Sequence, residues 1–114
     1  MSLAQGTKYD DGKEPLDLWS PDALYETSRV LAFGARKYDA YNWEKGINYS
    51  RVFAALLRHL WSFWRGEAKD KETNLHHLGH AMCCLMFLLH YEMNRRKFRS
   101  FDDRPKYGRK RVSA

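Results

Sequence analysis

Residues 75–93 constrain the fold more than any other stretch. Leu75, Leu78, Met82, Leu85, Met86 and Leu89 recur at helical spacing on one side, and Cys84 and Leu88 fall on another. A helix apolar almost all round must be covered on several sides. It is expected to run from a cap at Thr73 or Asn74 to about Arg96. With 114 residues and three helices, the chain has little with which to cover it. The pattern therefore predicts an all-α helical bundle completed by oligomerisation, as a homodimer or homotetramer. No segment alternates with the period of a strand, and no internal repeat is present.

Two further helices precede it. Ser20 suits an N-cap, Pro21 the first helical position and Asp22 the first turn. Leu24, Ser28, Leu31 and Ala35 share a face of this helix, which should fray near residues 36–38. Gly34 inside it either costs about 1 kcal/mol against Ala or marks the close approach of another backbone. The next helix, over about 51–65, is capped by Ser50 and stopped by Gly66. Its stripe of Val52, Leu56, Leu60 and Phe63 is widened by Phe53, Leu57, Trp61 and Trp64. Residues 1–19 read as an arm with an Asp11-Gly12 turn, pinned to the body by Leu16, Leu18 and Trp19.

Charge divides the chain into a domain over 1–96 and a basic tail over 97–114. The net charge is +6, but Arg95 to Arg111 hold nine Lys/Arg and two Asp, while residues 1–94 hold 11 Lys/Arg and 12 Asp/Glu. Such a tail is a solvated terminus or a contact for phosphate or nucleic acid. Cys83 and Cys84, adjacent in an apolar helix, read as small buried hydrophobes in a reducing compartment. There is no signal-peptide pattern, and the longest apolar run, 81–91, is too short for a bilayer. The expected location is cytoplasmic, without membrane contact.

The connector between the second and third helices carries the chemistry. Glu67, Asp70 and Glu72 lie within six residues, followed by His77 and His80 on one helical face. Carboxylates suit Mg²⁺ or Mn²⁺, and imidazole adds a borderline ligand or a proton shuttle. A solvated acidic turn beside capping or core histidines is the structural alternative. Arg58 and Arg65 stand just upstream, and Lys8, Lys13, Lys37 and Arg58 are candidates to stabilise charge on phosphate. The loop over 38–49 holds three Tyr and one Trp; such rings stack on nucleobases or cover the edge of a core. There is no Walker-type loop and no His-Asp dipeptide.

In combination, several motifs resemble one family. These are Lys8-Tyr9-Asp10-x₂-Lys13-x-Pro15-Leu16-Asp17-Leu18, Val30-Leu31-x-Phe33-Gly34-Ala35-x-Lys37-Tyr38, Asn42-Trp43, Arg58-His59-Leu60, Gly66-Glu67-x₂-Asp70-x-Glu72 and His77-x₂-His80-Ala81. Over roughly residues 7–92 the chain resembles the phage dATP/dGTP diphosphohydrolase N-terminal-domain family, grouped with MazG-type all-α NTP pyrophosphatases. The resemblance implies an oligomeric helical enzyme that splits purine (deoxy)nucleoside triphosphates into monophosphate and pyrophosphate with Mg²⁺ or Mn²⁺, in the bacterial host's cytoplasm if phage-encoded. MazG-type sites carry Glu-x₂-Glu and Glu-x₂-Asp on successive helices. Here the second helix lacks the first, and His77-x₂-His80 stands in place of the second. On this reading Glu67, Asp70, Glu72, His77 and His80 hold metal, and Glu67, Asp70, His77 and His80 serve the reaction. Lys8, Lys13, Lys37, Arg58 and His59 line the substrate with Tyr38, Asn42 and Trp43, the last three on base and sugar. Two alternatives are a non-catalytic protein that sequesters a nucleotide, and a nucleic-acid-binding regulator working through the tail.

Overall fold

The computed structural model describes residues 3–106. Four α-helices, α1 Pro21–Lys37, α2 Tyr49–Trp64, α3 His77–Met93 and α4 Arg95–Phe98, form an all-α fold. Single 3₁₀ turns cover Leu16–Leu18, Asn42–Lys45 and Arg99–Phe101. Helix α3 is central and packs along both α2 and α1. Among the described residues no helix is long and apolar enough to cross a membrane.

Helix α1 begins as its sequence specifies. The Ser20 hydroxyl accepts the Ala23 N–H at 3.2 Å, with Pro21 at the first position. The other two starts differ from expectation. Asn48, not Ser50, precedes α2; Ser50 lies inside its first turn, and both its N–H and its hydroxyl donate to Asp103. Helix α3 begins three residues later than a Thr73 cap would set it. Its N-cap is His76, whose Nδ1 accepts the Leu78 N–H at 2.9 Å. Thr73 and Asn74 are used in a tight turn instead, with Asn74 at φ +58°. The helix also ends early, at Met93, where the Asn94 amide returns to the His90 carbonyl.

The core is built on the small side of α3. Ala81, Cys84 and Tyr91 are buried against Tyr49, Val52 and Leu56 of α2, with Phe98 beneath them. On the leucine side Leu85 and Leu89 stay exposed in the single chain, which was expected to have too little to cover this helix. Small side chains let two helix axes approach closely, so Ala81 and Cys84 decide which face meets α2. Gly79 does the same towards α1: a Cβ there would meet Glu26 Cγ at 3.2 Å and Val30 Cγ2 at 3.5 Å. Cys83 and Cys84 are free and buried, and burial pushes the Cys83 thiol up to about 12.

Tyr91 is fully buried, and its hydroxyl donates to the Trp43 carbonyl at 2.6 Å. That bond ties the 38–48 loop to α3. The Trp43 ring adds to it by stacking on Phe87, with centroids 5.3 Å apart, and by meeting His90 edge-on. The arm is not pinned as expected: Leu16, Leu18 and Trp19 are all exposed. Of the basic tail, residues 107–114 lie outside the described residues. Its first part is held by Asp102, which accepts from Arg95 at 3.0 Å and Arg104 at 2.7 Å.

Candidate functional site

A cavity of about 790 Å³ opens between the C-terminal half of α1, the 38–43 loop, and the facing sides of α2, the connector and α3. Its size is that of a small-molecule site. Lys37, Tyr38, Asn42, Trp43, Arg58 and His59 all line it, together with Asp70, Glu72, Thr73 and His80. Residues far apart in sequence thus share one wall system. Glu67 and His77 do not line this cavity, and neither do Lys8 and Lys13, which lie on the exposed arm.

The connector owes its shape to its own hydrogen bonds. The Asp70 N–H donates to the Leu75 carbonyl at 2.9 Å, and the Asn74 N–H to the Asp70 carbonyl at 2.8 Å. The Asp70 carboxylate caps this turn, accepting from the Thr73 N–H at 3.0 Å and the Thr73 hydroxyl at 3.1 Å. The His77 N–H reaches back to the Ala68 carbonyl at 2.8 Å. The acids are therefore sorted by the turn rather than clustered. Asp70 faces α3, Glu72 bonds Lys37 at 2.9 Å across the cavity, and Glu67 stands 3.5 Å from His77.

Three imidazoles meet beside Asp70. The His59 ring, from α2, stacks on His80 with centroids 4.5 Å apart and planes within 7°. His59 Nδ1 lies 2.9 Å from His77 Nδ1. His80 Nε2 is 2.8 Å from the Thr73 hydroxyl and 4.0 Å from Asp70 Oδ2. His77 is buried, and its Nε2 makes no hydrogen bond. Burial, then the neighbouring His80 and His77, push His59 down to about 4. Burial also lowers His80, against the pull of Asp70. Burial alone would raise Asp70, but the Thr73 bonds and the adjacent imidazoles outweigh it and keep this carboxyl below its ordinary value. At neutral pH the site therefore presents an ionised Asp70 carboxylate beside neutral imidazoles at His59 and His80, the form in which these groups accept protons or ligate a cation.

Two contributors escaped sequence reasoning. Glu26 of α1 accepts the His76 N–H at 2.8 Å, orienting the start of α3; that bond and Arg29 lower its carboxyl. Its only sequence signal is a carboxylate four residues after Asp22, which reads as helix-start chemistry. Thr73 was read as a cap, yet its hydroxyl links Asp70 to His80. His59 sits closer to the acids than its expected place on the substrate side: with Asp70 and His77 it forms a group whose ligating atoms lie within 4.8 Å of one another.

A family model described as dATP/dGTP diphosphohydrolase, N-terminal, matches residues 3–104. A Salmonella phage PMBT28 protein named dATP/dGTP diphosphohydrolase is 41% identical over 90 residues, which are 79% of this chain and 31% of that protein. The chain thus spans about a third of the length of the curated relative it matches. No solved structure matches it.

Proposed function

The chain belongs to the dATP/dGTP diphosphohydrolase N-terminal family, and from that premise we propose that it hydrolyses purine deoxynucleoside triphosphates to monophosphate and pyrophosphate with Mg²⁺ or Mn²⁺. One observation supports this reading above the rest. The cavity that holds Asp70, Glu72 and His80 also holds two cations and the aromatic and amide groups of the 38–43 loop.

The donor set suits a divalent ion: Asp70 and Glu72 offer oxygens, and His80 stands beside them. When bound, such an ion neutralises phosphate oxygens. Lys37 and Arg58 take phosphate charge from the opposite wall, Lys37 exchanging its Glu72 partner for the substrate. Tyr38 and Asn42 hold base and sugar, and Trp43, fixed by Phe87, forms a rigid wall for them. His80 accepts the proton of a water whose oxygen adds to the α-phosphorus. The bond from that phosphorus to the bridging oxygen breaks, and pyrophosphate leaves with the electron pair. Lys8 and Lys13 take no part in this cavity. The reading includes association into an oligomer through the apolar sides of α2 and α3 left exposed.

The test is ion-exchange analysis of products after incubation with each of the eight common NTPs and dNTPs. Monophosphate and pyrophosphate are expected from purine deoxynucleotides. Asp70→Ala and His80→Ala should each lower turnover at least 100-fold with the far-UV helical signal intact, within the range set by losing a general base. Turnover surviving both changes sinks the site. Recovery of unchanged nucleotide after denaturing the complex would favour sequestration instead.

A further inference from the structure

Hydrogen bonding explains the meeting of His59 and His77 only in part. Two Nδ1 atoms 2.9 Å apart can share one proton at most. If His77 donates it, His77 Nε2 is a buried lone pair without a donor; if His59 donates it, His77 Nε2 is a buried N–H whose nearest acceptor, Glu67 Oε2 at 3.5 Å, is not hydrogen-bonded to it. Either tautomer leaves this atom unsatisfied, as observed, and such a group is costly in a folded chain. A cation held by the two Nδ1 atoms accounts for their close approach and fixes His77 as the Nε2–H tautomer. Both Nδ1 lone pairs then point at the ion, and His77 Nε2–H turns towards Glu67 Oε2, 3.5 Å away. This is the carboxylate–imidazole–metal arrangement that fixes a ligand's tautomer.

We infer that His59, His77 and Asp70 hold a resident transition-metal ion of the zinc or cobalt class, distinct from the Mg²⁺ that accompanies a triphosphate. Imidazole nitrogens suit borderline ions, whereas Mg²⁺ prefers an all-oxygen shell. Three protein ligands leave a further position open, and His59 and Asp70 both border the cavity, so that position faces it. Glu67 is a positioning residue, set behind His77 and away from the cavity. His80 stays outside the ligand set, because the Thr73 hydroxyl occupies its Nε2. The ion's role rests on the proposed hydrolase reading; its binding does not.

The experiment uses the full chain, stripped with chelator, desalted, and titrated with Zn²⁺, Co²⁺ or Mg²⁺ in the absence of nucleotide. One Zn²⁺ per chain should survive desalting, Co²⁺ should give a visible ligand-field band, and the melting temperature should rise with both but not with Mg²⁺. Glu67→Gln should weaken binding roughly tenfold while keeping the Co²⁺ band, and His59→Gln or Asp70→Asn roughly 100-fold or more with loss of the band. Should His77→Gln fail to fold, the partly exposed His59 still decides the matter. Zn²⁺ binding no tighter than Mg²⁺, or unaltered in His59→Gln, overturns the inference. Failure of Zn²⁺ to bind, with turnover in Mg²⁺ retained, would overturn the inference and leave the hydrolase reading intact. Zn²⁺ retained without any turnover would uphold the metal centre and defeat that reading.

Discussion

Two glycines show how much a single Cβ decides. Gly46 sits at φ +98°, and a Cβ there would overlap the Phe101 ring. Gly46→Ala should cost about 2–4 kcal/mol, the sum of left-handed strain and a displaced ring, read as a lower urea midpoint. Gly34 is the reverse case. A Cβ at this mid-helix position meets nothing within 4 Å, so no neighbouring backbone requires it. Gly34→Ala should stabilise by about 1 kcal/mol, raising the melting temperature by ~4 °C. The sequence narrowed Gly34 to two explanations, and the open space selects the first. The histidines were legible to a similar depth. Helical spacing placed His77 and His80 near one another, and the charge pattern singled out the acids. It could not reveal that His59 turns towards them, because that depends on which side of α2 faces α3.

At the scale of elements, helix starts were legible only where capping is local. Ser20 and Pro21 act within their own turn. Ser50 and Thr73 have the right chemistry for caps, but partners distant or unsuspected in sequence, Asp103 and the Asp70–His80 pair, claim them. The segment after α3 shows what such distant bonds do. Arg104 and Arg95 hold the Asp102 carboxyl far below its ordinary range of about 4, and Asp103 fastens the same segment to the start of α2. A carboxylate with a depressed folded-state pKa contributes stability above the unfolded value and loses it as pH falls below that value. Stability should therefore drop from about pH 4 downward. In Asp102→Asn the urea midpoint should be lower at pH 7 and should fall less on acidification.

The whole molecule is longer than its length requires. The radius of gyration is 19.1 Å, where a compact chain of this size would give about 13 Å. Phe53, Leu57, Leu60, Trp61 and Trp64 follow one helical stripe along α2 and remain exposed, as do Leu85, Leu89 and Met93 along α3. The sequence indicated that one chain has too little to cover the third helix, but not which residues of α2 and α3 stay uncovered. Light scattering should give a multiple of 13.6 kDa, and Trp61→Asp with Leu89→Asp should reduce it to that mass without loss of helix signal; a monomeric parent would refute association through these stripes. The connector carries a different consequence. Asp70, Thr73, His77 and His80 are neighbours in sequence, joined by a turn that closes on itself, and His59 lies one helix upstream. Bringing these groups together closes only short loops, so little chain entropy opposes it. The reactive half of the molecule can thus assemble early in folding, as soon as α2 and α3 dock, while the cavity's outer wall waits for α1 and the aromatic loop.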